Sequence, residues 1–160
     1  MRDCAPAAVR RLCCFVRRLV ELRMVASNPN MSSGHGVVNI ASPLLFADTV
    51  RRLLSAFADH GIKVFVTIDQ QAAASAVGLS MPPTTLIVFG NPRAGTPLML
   101  ARPESGVDLP LKVLVSEAVP GQVSVIFNAG AYIIARHSLP AELASNLAPA
   151  EQLIGNVLRS

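Results

Sequence analysis

The pattern of hydrophobic and polar positions between residues 36 and 69 predicts a strand, an amphipathic helix and a second strand. Residues 36–41 (GVVNIA) form a short β-rich run. Apolar side chains then recur at i, i+4, i+7 and i+11, the spacing of one helix face: Phe46, Val50, Leu53 and Phe57. Ser42 is the expected N-cap with Pro43 in the first helical position, and Gly61 is the expected left-handed stop.

Strict alternation over residues 62–69 (IKVFVTID) predicts a strand with one buried and one more open face. The residues expected to share one face are Ile62, Val64, Val66 and Ile68. Residues 70–78 are rich in alanine and suit a short helix ended by Gly78. Residues 84–90 (TTLIVFG) are typical of a buried strand.

The segment from residue 91 to residue 110 holds four prolines and two glycines, too many for regular structure throughout. A short helix over residues 96–101 is expected within it. Thr96 is the predicted N-cap of that helix, and Pro97 is its predicted first residue.

The C-terminal part of the domain predicts a hairpin followed by helices. Residues 111–117 and 122–128 form two strands joined by a Pro-Gly turn. Residues 131–137 (AYIIARH) predict a helical turn. Residues 140–159 predict one or two helices, with a break or restart at Pro149.

Strands that are grouped together, rather than alternating with helices, favour the α+β class. The order strand, helix, four strands and terminal helix predicts an antiparallel sheet with both long helices on one face. The opposite face then needs a cover, which a second subunit would provide. Because hydrophobic residues make up 51% of the chain, we expect a homodimer.

Charge divides the chain into a basic leader and a neutral domain. The protein carries +4, with 14 Lys and Arg against 10 Asp and Glu. Residues 1–30 contain this whole excess, because acidic and basic side chains balance over residues 31–160. The small, turn-rich residues 26–36 are typical of a linker. We therefore expect residues 1–33 to be a leader and linker outside the fold, and residues 34–160 to be a single domain.

The leader is compatible with an upstream extension, an amphipathic surface or partner helix, or a targeting segment. Arg17 and Arg18 interrupt its best apolar stretch, which excludes a secretory signal and a transmembrane helix. An Arg-rich, acid-poor composition partly fits a mitochondrial transit peptide. Cys4, Cys13 and Cys14 have neither zinc-site spacing nor an even count for disulfides, so a reducing, cytoplasmic location is expected.

Four stretches within residues 37–159 resemble, in this order, a widespread bacterial and archaeal family, domain of unknown function 302: IDQQAAASAVGL, PTTLIVFGNPRAGTPLM, GVDLPLKVLV and YIIARH. The resemblance implies a β-α-β(4)-α domain with a curved antiparallel sheet, similar to the fold of TATA-box-binding protein, and pairing as a homodimer. It implies no established activity. Many members have IDHAA at residues 68–72 and NDP or NSP at residues 128–130, where this chain has IDQQA and NAG. A reaction in which other family members use that His or Asp would not be expected of this chain.

Two motifs in the proline-rich segment offer candidate site residues. One lies in the first half of the segment and the other at its end. After the third predicted strand, the backbone N–H groups around Asn91, Arg93 and Thr96 are candidates for holding an anion, or the same residues merely build a turn and cap. Asp108 and Lys112 lie four residues apart in an extended segment, so both can face one side. They suit acid–base chemistry, a carboxylate anchor or a plain ion pair.

His137 follows an apolar helical turn and is a candidate general base, metal ligand or surface cap. His35 and His60 do not have the spacing to complete a metal triad with it, so no metal site is predicted. No phosphate-loop or dinucleotide motif occurs, so no cofactor is indicated. The neutral domain has no basic patch interleaved with aromatic residues, so no nucleic-acid partner is expected.

Three functions remain open. The first is a homodimeric binding module that holds a small anionic or amphipathic ligand in a pocket bordered by Asn91, Arg93, Thr96, Asp108, Lys112 and His137. The second is an enzyme that uses Lys112, Asp108 and His137 for acid–base work on a small carbonyl or carboxylate compound. The third is a structural dimer without a ligand. Convergence of these side chains on a concave pocket would favour the first two functions.

Overall fold

The computed structural model describes residues 36–159, so the predicted leader and the three cysteines lie outside the described residues. The strands are β1 (Val37–Ser42), β2 (Lys63–Asp69), β3 (Thr84–Gly90), β4 (Leu111–Val119) and β5 (Gln122–Asn128). The helices are α1 (Phe46–Asp59), α2 (Gln70–Ser75), α3 (Pro92–Ala101), α4 (Gly130–Arg136) and α5 (Ala144–Arg159). Short 3-10 helices at Pro103–Val107 and Ala141–Leu143 precede β4 and α5.

The strands form one antiparallel sheet in the order β1-β5-β4-β3-β2. One face of this sheet packs against α1 and α5, and the main core lies between them. Its buried side chains are Leu53, Phe57, Ile87, Phe89, Val113, Val115, Val123, Val125, Phe127, Leu153, Ile154, Val157 and Leu158. The predicted α+β class, with an antiparallel sheet and long helices on one face, is confirmed. The expected likeness to TATA-box-binding protein stays a prediction.

Helix α1 carries the predicted apolar stripe but begins later than expected. All four stripe residues lie in or against the main core. Ser42 is not the N-cap, because its hydroxyl is paired with that of Thr49 at 2.7 Å and accepts from the Leu44 N–H at 3.2 Å. These bonds hold a local turn at the end of β1, and the helix starts after Leu45. Gly61, with φ +63°, follows the helix end as predicted.

A β-bulge in β2 reverses part of the predicted alternation. Val64 lies opposite Phe89 on the helix-covered face, but the pairing shifts between Val64 and Val66. Val66 and Ile68 consequently lie on the other face, where they are 45% and 39% exposed. The prediction that these residues share one buried face is wrong, since the extra residue of a bulge changes which side later residues face.

Helix α3 is longer than predicted. It begins at Pro92 rather than at Thr96, because Asn91 is the N-cap and its Oδ1 accepts from the Arg93 N–H at 2.9 Å. Pro97 lies inside the helix, where it forgoes one backbone hydrogen bond. The proline-rich segment therefore contains a helix of 10 residues, or about three turns, whereas the sequence predicted a helix over residues 96–101 only.

Helix α5 runs without interruption through Pro149, so the predicted break is wrong. Leu147 before the proline and Leu153 and Ile154 after it are all buried. Packing of one continuous apolar stripe against the sheet and α4 outweighs the local cost of the proline.

The sheet face opposite α1 and α5 bears some polar side chains, among them Asn39 and Lys112, and six partly exposed aliphatic ones: Val66, Ile68, Leu86, Val88, Leu114 and Ile126. We call these residues the open face. Between residues 36 and 159, no helix combines the length and the apolar character needed to cross a membrane.

Candidate functional site

A cavity of about 440 Å³ opens beside α3 and α5, where β3 ends and β4 begins. Buried Phe89, Leu147 and Leu153 belong to its wall. The exposed polar residues at its rim are His60, Asn91 and Thr96. A volume of this size is typical of pockets that hold small molecules.

The cavity lies at the junction of two hydrophobic clusters. Phe89 and Leu153 belong to the main core, where Phe89 stacks on Phe57 with ring centroids 4.3 Å apart. Leu147 belongs to a second cluster, and Leu111 packs against both clusters. The two clusters do not close completely against each other, so apolar side chains face an open volume instead of one another.

The residues that line this cavity, all of them described, include no Asp, Glu, Lys or Arg. Besides the rim residues, the polar side chain among them is Asn146, whose amide nitrogen donates to the Ala94 carbonyl at 3.0 Å. The cavity is therefore chemically apolar inside and weakly polar at its mouth.

The start of α3 does not offer free backbone donors for an anion. Pro92 has no N–H, and the Arg93 N–H donates to the Asn91 side chain. The N–H groups of Ala94 and Gly95 both donate to the Asn91 carbonyl at 2.9 Å. The geometry thus favours the turn-and-cap interpretation of this motif over anion binding.

Asp108 and His137 form a buried pair away from this cavity. The His137 Nε2 lies 2.7 Å from Asp108 Oδ2, and the two side chains are 8% and 9% exposed. Arg136 contacts the other carboxylate oxygen at 3.3 Å. Asp108 follows the 3-10 helix before β4, and His137 ends α4, so the pair joins two segments that are distant along the chain.

The side chain of Lys112 holds the same loop by hydrogen bonds to backbone carbonyls of that loop. Its Nζ donates to the carbonyls of Val107 and Asp108 at 3.4 and 3.2 Å. Lys112 and Asp108 also line a second cavity of about 20 Å³, together with Asn128 and Glu151. That volume accommodates roughly one water molecule and no organic substrate.

The structure places five of the six candidate residues in two separate groups and leaves Arg93 outside both. Asn91 and Thr96 lie at the rim of the large cavity, whereas exposed Arg93 is not among its lining residues. The other three candidates (Asp108, Lys112 and His137) form the polar cluster just described, and none of them lines the large cavity. Between residues 36 and 159, no three His, Cys, Asp or Glu side chains are grouped as metal ligands.

Reasoning from the sequence missed His60 and the apolar wall as site features. His60 has the signature of a helix C-cap, which it is: its Nδ1 hydrogen-bonds the Ala56 carbonyl at 2.9 Å. Phe89, Leu111 and Leu147 have the pattern of ordinary core residues, because hydrophobic periodicity does not distinguish a side chain that faces a neighbour from one that faces a cavity.

The family described as "Domain of unknown function DUF302" matches residues 38–159. A crystal structure titled as an uncharacterized conserved DUF302 protein from Bacillus stearothermophilus superposes with a TM-score of 0.66 at 16% identity, covering 78% of this chain and 96% of that one. At this identity the likeness concerns the fold alone.

Two curated relatives share sequence with part of the chain. "Fluoride-specific ion channel FluC 1" of Brucella suis biovar 1 (strain 1330) is 39% identical over 104 residues, or 65% of this chain and 41% of the relative. "Fluoride-specific ion channel FluC 2" of Brucella melitensis biotype 1 is also 39% identical over 104 residues, covering 38% of its length. The chain thus spans about two fifths of the length of these relatives.

Proposed function

The chain belongs to the DUF302 family, and we propose that it is a small-molecule binding module whose cavity beside α3 and α5 holds an amphipathic ligand. The observation that carries this proposal is the apolar volume of about 440 Å³ between the two core clusters. Apolar surface that faces water is unfavourable by roughly 25 cal/mol per Å². A ligand with an apolar body recovers that free energy on binding.

Of the two ligand classes expected from the sequence, the amphipathic class fits the cavity better than the anionic one. The lining residues include no Lys or Arg, and the N–H groups at the start of α3 are already engaged. Transfer of an anion into such surroundings costs far more than transfer of an apolar group.

Binding of the neutral dye N-phenylnaphthylamine tests this proposal in the full chain. We expect its fluorescence to rise with a saturable, one-site isotherm. Gly95 lines the cavity, and a Cβ added there meets its nearest neighbour, a Leu109 atom, at 3.9 Å, so the first atom of a Gly95→Leu side chain fits beside the cavity. This variant should weaken dye binding at least about ten-fold, because it occupies the same space.

Ala101→Leu is the matched control, since it adds the same side chain to α3 at an exposed position that does not line the cavity. It should bind the dye as the unchanged protein does. Absence of saturable binding, or equal binding by Gly95→Leu, would refute the cavity as a ligand site.

We also propose that the module is a homodimer, with the open face as the contact between copies. Five strands about 4.8 Å apart and roughly six residues long present a face of roughly 480 Å². Two such faces bury about 1,000 Å² in total, which reaches the threshold of about 1,000 Å² for a biological interface and lies below the roughly 1,200–2,000 Å² of stable ones. Aligned packing of two sheets about 10 Å apart is a common arrangement.

Sedimentation velocity of the full chain tests the dimer. Val66→Lys puts a charge on the open face and should produce monomers, whereas Val77→Lys, at a 72% exposed site after α2, should not. A monomeric unchanged protein would refute the dimer. A dimer that binds no dye would instead support the structural dimer without a ligand.

The enzyme hypothesis has weaker support. The close contact between Asp108 and His137 favours it, since a carboxylate-oriented imidazole is a common general base. However, Asp108 uses its second oxygen for Arg136, Lys112 is bonded to backbone carbonyls, and the adjoining cavity holds only about one water. These contacts suit a loop anchor better than an acid–base site.

A second candidate function follows from the Brucella relatives. This chain matches about two fifths of the length of proteins named as fluoride-specific ion channels, so those proteins contain a segment similar to this one. We propose as the alternative that the domain is an accessory to a fluoride channel. Fluoride resistance conferred by the Brucella suis relative, with and without the matched segment, tests it. Equal resistance would refute the accessory role.

A further inference from the structure

We propose that the cavity takes an uncharged, single-tailed amphiphile, with its tail inward and a head group that both donates and accepts hydrogen bonds at the rim. This inference rests on the proposed binding function and names the class of ligand. It depends on three properties of the cavity: its size, the hydrogen-bonding character of the rim and the distribution of charge around it.

The inner part of the cavity suits an aliphatic or flat aromatic tail. At about 30 Å³ for each water-sized group, a volume of about 440 Å³ holds roughly 15 non-hydrogen atoms. Phe89, Leu147 and Leu153 offer no hydrogen bond to a polar atom there, so a polar group placed inward would lose its hydration without compensation. The tail therefore enters first, and a tail of about ten carbons fits within this volume.

The rim supplies both acceptors and donors. The His60 Nδ1 carries the proton that bonds to the Ala56 carbonyl, because a carbonyl can only accept, and in the neutral ring Nε2 is then an acceptor. The Asn91 side chain uses its oxygen in the cap of α3, which leaves its NH₂ group as a donor. The Thr96 hydroxyl can do both. A hydroxyl or primary amide head matches this combination.

The charged side chains of the polar cluster already have partners outside the cavity. Asp108 is paired with His137 and Arg136, and the Lys112 Nζ donates to two backbone carbonyls. Neither a carboxylate nor an ammonium head would meet a counter-charge among the lining residues. Each would lose hydration on entering the rim, and we expect affinities at least about ten-fold below that of the matching alcohol.

Displacement of bound N-phenylnaphthylamine from the full chain tests the ligand class. The competitors are decanol, decanamide, decanoate and decylammonium, which share one tail and differ in head group. Decanol and decanamide should displace the dye, and the two charged competitors should need at least about ten-fold higher concentrations.

Thr96→Val provides the matched variant for the head group, since it removes one hydroxyl at an exposed rim position and keeps the shape of the side chain. It should weaken decanol by about 2- to 10-fold more than it weakens the dye. Displacement by decanoate as strong as by decanol would overturn the inference while leaving the proposed binding function intact. Failure of the dye itself to bind would instead refute the binding function.

Discussion

Removing the imidazole of His137 tests whether the polar cluster is a structural anchor. The His137→Ala variant leaves Asp108, which is 9% exposed, without its 2.7 Å partner. A hydrogen bond to a charged group is worth about 1.5–3 kcal/mol, and the remaining contact to Arg136 at 3.3 Å recovers a small part of this. We therefore expect the free energy of unfolding to fall by about 2 kcal/mol, and Tm to fall by roughly 6 °C for a domain of this size.

Urea unfolding followed by circular dichroism, at one protein concentration, measures this loss as a lower midpoint with an unchanged m-value. Arg136→Ala is the control, because Arg136 is 46% exposed and its longer contact with Asp108 should be worth less than about 1 kcal/mol. A double-mutant cycle with Asp108→Ala should assign at least about 1 kcal/mol to the coupling between the two buried side chains. A loss below about 0.5 kcal/mol in His137→Ala would refute the anchor.

Three further substitutions have defined outcomes. Ser105 is fully buried and its hydroxyl has no partner among the described residues, so Ser105→Ala should keep or raise stability, by up to about 1 kcal/mol in thermal unfolding. Gly130→Ala brings a Cβ to 2.9 Å from the Leu147 Cβ, so it should push α4 from α5 and cost about 1–3 kcal/mol in urea unfolding. Arg93→Ala should leave the weak competition by decanoate for the dye unchanged in a fluorescence displacement titration, and a large further loss would restore the anionic interpretation of the α3 motif.

Much of the fold is predictable from local patterns. The stripe of α1, the strands β3 and β5 and the Pro-Gly hairpin follow from periodicity and turn chemistry over a few residues. These signals depend on residues that are close together in the chain, so they predict local structure without knowledge of the rest of the molecule. Local turn and cap signals also identify Asn91 and Thr96 as candidates. Asn91 is the N-cap of α3, whereas Thr96 lies inside that helix and is not a cap, and both line the cavity.

Other features depended on contacts between distant segments. The bulge that turns Val66 and Ile68 to the open face arises from the pairing of β2 with β3. Helix α5 continues through Pro149 because both of its halves pack against the rest of the domain. Both contradict the local pattern because tertiary contacts outweighed it.

The composition and periodicity of the sequence by themselves determined an α+β domain with one helix-covered sheet face, and they identified Asp108 and His137 as candidates. Only the tertiary structure decided that these residues, 29 apart in sequence, are bonded to each other and lie apart from the cavity. The physical reason is that a cavity is a mismatch in volume between two packed clusters. Volume is a property of the assembled side chains, whereas periodicity records only which way each one points.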